Sequence, residues 1–290
     1  MLIKRNLLIF FRDRANVFFS LLSVLLVVAL YVLFLGTLME EGLRAQLGFD
    51  SAQIGAVMSG IMLGGTVAIT SFTSCLGAAG VSIKDKEDRT GAEKDFLTSP
   101  VSRGKIVSGY VLSSAVVSLI MTSAALLACM VYLISRGSDV PGFFDILRLV
   151  LTTVLSVLCA NAMVFFITIF LKSPNAFSAL SASVGALIGF LMGVYIPIGQ
   201  LPGPVQWVIR LFPMSHGASM FRQVMADDML GGLFEHAPPG NLSEFRYVFG
   251  IVFSYGGFTS GFWFSAGVLL VTAVVFYGLS LVVIGRRRRG

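Results

Sequence analysis

Long apolar stretches alternate with short polar segments along the whole chain. Six stretches are long enough to cross a bilayer as helices, because a hydrocarbon core of about 30 Å needs roughly 20 apolar residues. They lie at about 17–38, 54–82, 106–135, 149–171, 176–198 and 262–284. The stretches are continuous, whereas a β-barrel strand alternates apolar and polar residues. The pattern therefore predicts an all-α integral membrane protein with six transmembrane helices, in a single domain over residues 1–290.

The composition supports this prediction. Of the 290 residues, 56% are hydrophobic and only 12% are charged, whereas a soluble domain is about 25% charged. So few charges could not cover the surface of a soluble protein of this length. The three cysteines lie within apolar stretches, and we interpret them as small buried hydrophobic residues. We expect membrane lipid around the chain and no nucleic-acid partner.

The distribution of basic residues predicts the orientation of the six helices. With both termini in the cytoplasm, 15 of the 21 Lys and Arg residues fall on the inner side and six on the outer side. This asymmetry agrees with the positive-inside rule, so both termini are expected to be cytoplasmic. The apolar region at about 245–284 then crosses once, at 262–284, because two crossings would place the four-arginine tail outside. The cell (plasma) membrane is the expected location of this multi-pass chain.

Two segments outside the spans carry further predictions. Residues 1–16 are expected to form an amphipathic interfacial helix on the inner leaflet, while a helical extension of the first span fits the same pattern. The outer segment 199–261 begins with closely spaced prolines, which interrupt helices. A re-entrant hairpin of two short helices between spans five and six fits that spacing, provided that protein buries the irregular backbone.

We hypothesise that this hairpin forms an extracellular gate. Two of its polar residues, His216 and Arg222, would hold it together through polar contacts, a structural role that we favour over direct contact with a substrate. The residues assigned to the outer gate are Pro202, Pro213, His216 and Arg222.

The interiors of the six predicted spans contain no Asp, Glu, Lys, Arg or His. Ionisable residues in spans usually mark proton relays and ion sites, so their absence argues against a proton- or sodium-coupled carrier. Asn161, in the fourth span, is the strongest buried polar group. The hydroxyls of spans two and three are expected mostly to bond to their own backbone or to a neighbouring helix.

Enzymes and self-sufficient pumps fit the sequence poorly. The chain contains no G-x-x-x-x-G-K-[S/T] motif, and no pattern typical of nucleophilic or general acid–base catalysis. Its two histidines are too far apart to indicate zinc. We therefore assign no catalytic, cofactor-binding or metal residue. If the chain moves a substrate uphill, another polypeptide must supply the energy.

Charge is concentrated in the segment 84–105, between the second and third spans. Six basic and five acidic residues occupy its 22 positions, which suits a solvated helix or a polar protein interface better than a lipid surface. Phe96 and Leu97 interrupt the polarity and could anchor a packed contact, and Pro100 ends any helix. A solvated loop is the alternative interpretation.

Two blocks of sequence resemble the ABC-2 type permeases, the membrane subunits of ABC exporters. The first block is Thr90-Gly91 followed by Phe96-Leu97-Thr98-Ser99-Pro100-Val101-Ser102-Arg103. The second runs from Tyr195-Ile196-Pro197 through Phe212-Pro213-Met214-Ser215-His216 to Phe221-Arg222. The order Thr90-Gly91 departs from the Gly-Thr that is usual in this family. The resemblance covers essentially the whole chain, with six spans and both ends inside.

The resemblance implies that segment 84–105 holds a coupling helix that docks into a cytosolic ABC ATPase subunit. Mg-ATP would bind to that partner, and this chain would need no cofactor of its own. The family also works as two permease halves, so a homodimer or a paralogous heterodimer is expected. The residues assigned to ATPase coupling are Glu87, Asp88, Arg89, Gly91, Glu93, Phe96, Leu97, Pro100 and Arg103.

Span five carries small residues at a regular spacing, Gly185-x-x-x-Gly189-x-x-x-Gly193. Such spacing lets helix backbones approach closely. The stripe could form a dimer seam, line a substrate path or serve packing within one subunit.

The leading interpretation is therefore the permease subunit of an ABC exporter that moves an amphipathic or hydrophobic compound, such as a drug, an antimicrobial or a lipid-like molecule. A secondary carrier or channel is the main alternative. A membrane-embedded enzyme or assembly factor is the third.

Overall fold

The computed structural model describes residues 2–47, 52–87, 103–171, 173–234 and 241–286, and helices dominate these ranges. The helices are α1 Leu2–Arg12, α2 Arg14–Leu30, α3 Gly36–Leu47, α4 Ala52–Glu87, α5 Arg103–Ser135, α6 Phe143–Phe170, α7 Pro174–Leu191, α8 Gly203–Leu211, α9 Pro213–Met225, α10 Asp227–Leu233, α11 Asn241–Val248 and α12 Phe262–Arg286. A π-helical turn, Tyr31–Leu35, joins α2 to α3, and a 3-10 turn, Ile198–Gln200, precedes α8. Two short antiparallel strands, β1 Ser254–Tyr255 and β2 Phe258–Thr259, form a hairpin before α12.

Among the described residues, five helices are long and apolar enough to cross a membrane. They are α4, α5, α6, α7 and α12, which correspond to predicted spans two to six. The first predicted span, 17–38, falls on α2, the π-helical turn and the start of α3, and α2 itself has 17 residues. A sixth crossing at this position stays a prediction, as does the side of the membrane that each terminus faces.

The fifth span is shorter than predicted, ending at Leu191 rather than at 198. Gly193 adopts a positive φ of +61°, a backbone conformation that favours glycine and commonly ends helices. The amide of Val194 donates to the carbonyl of Gly189 at 2.9 Å and closes this turn. The fourth span begins earlier than predicted, at Phe143 rather than at about 149.

Helix α4 is the centre of the bundle. The most apolar part of α4 is completely buried by other helices, whereas only 11% of the corresponding part of α7 is buried. The hydroxyls of α4 bond to the preceding turn of their own helix, as in the bond from Thr66 to the Met62 carbonyl at 2.8 Å and from Thr70 to the Thr66 carbonyl at 2.9 Å. The prediction for these hydroxyls is confirmed, and small hydroxyl-bearing residues let neighbouring helices pack closely.

The N-terminal helix α1 packs on α5 through a polar as well as an apolar contact. The Asn6 amide donates to the Ser113 hydroxyl at 3.0 Å, and Phe10 is buried beside Val117 and Met121. Asp13 separates α1 from α2. Backbone hydrogen bonds continue across this break, from the Asp13 amide to the Ile9 carbonyl and from the Val17 amide to the Asp13 carbonyl, both at 3.2 Å. An interfacial helix at residues 1–16 stays a prediction.

Polar contacts show which helix ends lie together. Arg136, just after α5, forms an ion pair of 2.8 Å with Glu40 of α3, whereas α1 contacts the first half of α5. The ends of α3 and α5 thus meet at one end of the bundle, and α1 lies towards the other. Helices α5 and α6 are joined by the short segment 136–142, as is usual for antiparallel neighbours.

Asn161 joins three membrane helices in the structure. Its amide nitrogen donates to the Val111 carbonyl of α5 at 3.3 Å and to the Ser114 hydroxyl. Its amide oxygen accepts a 2.8 Å hydrogen bond from the Tyr277 hydroxyl of α12. A side chain with both donors and an acceptor is suited to this junction, because each group finds a partner away from water.

Replacing Asn161 with leucine should reduce the stability of the bundle. The substitution removes all of these bonds at once, so we expect the free energy of unfolding to fall by about 1–2 kcal/mol. Thermal unfolding of the purified protein in detergent measures the change. Tyr277→Phe removes only one bond and should have a smaller effect. Equal stability of Asn161→Leu and the unsubstituted protein would contradict a role for the junction.

Candidate functional site

The outer-gate residues predicted from sequence lie on two short helices and the turns beside them. Proline stands at the start of each helix, at Pro202 before α8 and at Pro213 in α9, positions where its missing amide donor has no cost. The Ser215 hydroxyl donates to the Ile209 carbonyl at 2.6 Å and holds α9 against α8. The two helices expected in the hairpin are present, while their depth in a bilayer stays a prediction.

Arg222 of α9 is the largest fully buried side chain among the described residues. Within the described residues, its guanidinium donates only to backbone carbonyls. Nε binds the Ile61 carbonyl of α4 at 3.0 Å, Nη2 binds those of Met192 and Gly193 at 2.6 and 3.0 Å, and Nη1 reaches that of Gly250 at 3.4 Å. One side chain thus joins α4, α9, the end of α7 and the turn after α11. We name this arrangement the Arg222 clamp.

The clamp keeps a cation in an apolar site. Burial lowers the pKa of Arg222 to about 10, so the guanidinium stays protonated at neutral pH. No carboxylate forms an ion pair with it within the part of the chain that the structure describes. The positive charge of the guanidinium is instead stabilised by carbonyl dipoles. Some of these lie at the C-terminal end of α7, where the helix dipole favours a positive charge.

Glycines make room for the clamp. An added Cβ at Gly64 of α4 would lie 2.9 Å from the Arg222 amide nitrogen, and one at Gly65 would lie 2.6 Å from Nη2. At Gly60, the preceding turn, it would lie 2.5 Å from the Met225 carbonyl oxygen. Helix α9 can therefore pack against α4 only because this face of α4 has no side chains.

His216 anchors a second polar cluster, near the start of α9. Its Nδ1 lies 3.1 Å from the Ser265 hydroxyl of α12, and its Nε2 lies 3.1 Å from the Arg210 carbonyl and 3.2 Å from the Tyr255 hydroxyl. Tyr255 also donates to the Arg210 carbonyl at 2.9 Å. The histidine thereby links α8, α9, the β-hairpin and α12, and it is buried, with 2% of its surface exposed.

The environment of His216 favours its neutral form. Burial lowers the pKa of the imidazole, and the hydrogen bond to the Arg210 carbonyl opposes this effect in part. A neutral ring can donate from one nitrogen and accept at the other, which suits a carbonyl on one side and a hydroxyl on the other.

The structure brings only some of the predicted site residues together. Pro202, Pro213, His216 and Arg222 belong to one unit with the α7 end. Asn161 lies elsewhere, among α5, α6 and α12. Glu87 ends α4 and Arg103 begins α5. The other assigned coupling residues lie outside the described residues: Asp88, Arg89, Gly91, Glu93, Phe96, Leu97 and Pro100.

The glycine stripe of span five is divided in the structure. A Cβ at Gly189 would overlap the Tyr195 ring, and one at Gly193 would lie 2.5 Å from Ile198 Cγ1. These two glycines serve packing within the subunit. Gly185 differs, because a Cβ there would meet nothing within 4 Å.

Several residues of these clusters were not predicted from the sequence. Arg210, Tyr255 and Ser265 complete the His216 cluster, and Gly65 of α4 makes room for the Arg222 guanidinium. The Gly256-Gly257 pair was a usable signal, because two glycines between aromatic residues are typical of a hairpin turn. Both have positive φ values, +56° and +104°.

The fold and the comparisons with known proteins now define the class of the protein. It is a multi-pass protein of the cell membrane, built from apolar helices. The family profile of the ABC-2 type transporter matches residues 1–226. The chain therefore belongs to the ABC-2 type transporter family, and the resemblance inferred from its sequence blocks is confirmed. No curated protein matches the chain significantly.

Membership of this family assigns a general role. An ABC-2 domain is the permease, or membrane subunit, of an ABC transporter and generally lacks an ATPase site of its own. Such permeases generally work with an ABC ATPase and a partner subunit.

Replacing Arg222 with methionine should destabilise the protein strongly. The variant leaves four buried carbonyls without their donor, so we expect the free energy of unfolding to fall by about 3 kcal/mol. Chemical or thermal unfolding in detergent measures this change. Arg246→Met is the matched control, because Arg246 pairs with Asp227 near the surface and exposed pairs contribute about 0–1 kcal/mol. Similar losses in both variants would contradict the role of the clamp.

The His216 cluster should make stability depend on pH. The pKa of His216 is lower in the folded protein than its ordinary 6.5, so the unfolded chain takes up the proton first as pH falls. Stability is therefore greatest above pH 6.5 and declines as pH falls from 6.5 towards the folded pKa. Unfolding temperatures at pH 7.5 and 5.5 measure the effect, and His216→Gln should reduce the difference between them. If the difference between the two unfolding temperatures is unchanged in His216→Gln, groups other than His216 cause the pH dependence.

Proposed function

We propose that this permease is one half of an ATP-driven exporter that moves amphipathic or hydrophobic compounds out of the cell. The observation that carries the proposal is the match to the ABC-2 type transporter family over residues 1–226. Further features of the chain support the proposed source of energy, the transmission of movement, the second permease half and the class of substrate.

The described spans offer no residues for ion coupling. Apart from groups within six residues of a helix end, the five membrane-crossing helices contain no Asp, Glu, Lys, Arg or His. A proton or sodium gradient would require such groups or an ion site near the midplane. A separate cytosolic ATPase is therefore the energy source that we propose.

Helix α4 is suited to carry movement from that ATPase to the outer hairpin. Its 36 residues form one unbroken helix, about 54 Å long at 1.5 Å per residue. Its C-terminal end leads into the proposed coupling segment 84–105. Near its other end, the Ile61 carbonyl binds Arg222 and Gly64 contacts α9. A shift of α4 at the ATPase would therefore reach the clamp directly.

The exposed face of α7 is suited to contact a second permease half. Seven of its nine exposed residues are small or polar: Asn175, Ala176, Ser178, Ala179, Ala182, Ser183 and Ala186. The other two, Leu187 and Phe190, are large and apolar. The exposed face of α12 is instead rich in large aliphatic side chains, such as Leu270, Val271 and Val274. Small and hydroxyl residues favour helix–helix contact over lipid contact. We propose that this face, with Gly185, lies at the dimer seam or along the substrate path.

The proposed substrate class follows from the same surfaces. A path bounded by Ala, Ser and Gly side chains offers apolar contact and weak hydrogen bonding but no charge. Amphipathic or hydrophobic compounds suit such a path better than ions do. Outward transport is the direction that we propose for them.

Reconstitution with the partner ATPase tests the proposal. The permease and the ATPase should form a stable complex in lipid nanodiscs, hydrolyse ATP faster than the ATPase alone and expel a fluorescent amphipathic compound in an ATP-dependent manner. Transport that continues without the ATPase would favour a secondary carrier or channel. Absence of complex formation would overturn the proposal.

Charge reversal tests the coupling segment. Replacing Glu87, Asp88 and Glu93 with lysine should weaken ATPase binding by about tenfold or more, because complementary charges across an interface are lost. Binding is measured with the permease in nanodiscs. Glu41→Lys with Glu244→Lys alters charge on the predicted outer side and should leave binding intact. Equal binding by both sets of variants would remove the coupling role from segment 84–105.

A further inference from the structure

A cavity of about 330 Å³ opens beside the clamp, at the end of the bundle where α4 and α6 begin. It is bordered by the ends of α5 and α9, the loop between α5 and α6, and helix α10. The volume falls within the range of about 300–1,000 Å³ that is usual for small-molecule sites. The cavity does not include the exposed face of α7 or the proposed coupling segment.

The inner wall of the cavity is apolar and adaptable. Met130, Met225 and Met229 line it together with Leu133 and Leu149. Methionine side chains are flexible and polarisable, so they can adjust to ligands of different shape. This wall suits the apolar body of a small organic molecule.

The mouth of the cavity is negatively charged. Asp139 and Asp145 both line it. Asp145 is only loosely paired, at 3.6 Å from Arg148, and lies in the first turn of α6, where a carboxylate is stabilised by the helix dipole. Asp139 forms no ion pair with any residue that the structure describes.

The cations of this end of the bundle are engaged with other carboxylates. Arg136, in the same loop, is paired with Glu40 at 2.8 Å, and Arg44 lies 3.7 Å from the same carboxylate. Arg148 faces Asp145. Among the described residues, Asp139 is thus the carboxylate of the mouth that is left for a cationic ligand.

A hydroxyl in the lining is also available to a ligand. The Oγ atom of Ser138 is buried, lines the cavity and has no hydrogen-bond partner among the described residues, as is true of four other hydroxyls away from the cavity. Buried polar atoms in native proteins normally have a partner, so a ligand with a donor or acceptor group would find one here.

We propose that this cavity binds an amphipathic organic cation, with its apolar body against the methionine wall and its positive charge at Asp139. The carboxylate favours ligands that carry a positive charge, and the methionine wall favours ligands with a large apolar surface. The site belongs to the permease alone, so the inference does not depend on the proposed ATPase or on the direction of transport.

Binding of tetraphenylphosphonium tests the proposal. Equilibrium dialysis against the full chain in nanodiscs, without ATPase or nucleotide and with empty nanodiscs subtracted, gives the affinity. Tetraphenylphosphonium should bind more tightly than triphenylphosphine oxide, a neutral compound of similar apolar character. Asp139→Asn should weaken binding of the cation about fivefold, the effect of roughly 1 kcal/mol, and Asp139→Glu should retain it.

A pair of neighbouring glycines provides a matched control for shape. Gly232 lines the cavity and Gly231 does not, and an added Cβ meets nothing within 4 Å at either position. Gly232→Trp should therefore fill the cavity and block binding, while Gly231→Trp should not. Unchanged unfolding temperatures confirm that the variants are folded. Equal binding of the cation and the neutral compound, or binding that Asp139→Asn and Gly232→Trp leave unchanged, would overturn the proposal.

Discussion

The bond network of the Arg222 guanidinium is the interaction on which the outer part of the structure depends. A cation buried in an apolar site must be matched by acceptors, and here those acceptors are carbonyls of α4, the α7 end and the turn after α11. The carbonyls come from segments far apart in sequence. If any of these three segments moved away, the charge would lose an acceptor, so the Arg222 side chain holds them together with α9.

The helical scaffold could be predicted from the sequence, because it depends on local properties. Five of the helices predicted from apolar stretches long enough to cross a bilayer are present in the structure. The positions of Pro202 and Pro213 indicated the two short helices that follow α7. The predicted end of span five was wrong because Gly193 lies in an apolar stretch, and hydropathy does not report a backbone angle. The π-helical turn after Leu30 could not be predicted from hydropathy for the same reason.

The candidate site was predictable only in part. Arg222 and His216 were recognisable as unusual polar residues within an apolar segment. The family resemblance supported their assignment to the outer hairpin. Their partners were not recognisable, because the Arg222 ligands are backbone carbonyls, which every residue carries. Gly64 and Gly65 have no chemistry of their own, and their role depends on which helix lies opposite. Contacts between distant segments are a property of the fold and leave little trace in any local pattern.

The exposed face of α7 links the clamp to whatever packs against this helix. Helix α4 is enclosed by protein, whereas α7 is largely uncovered within one subunit. The carbonyls of Met192 and Gly193, directly after α7, are bound by Arg222. A second permease half that packs on α7 would therefore act on the guanidinium and, through it, on the outer hairpin. In such an assembly, subunit contact and the state of the hairpin would be mechanically coupled.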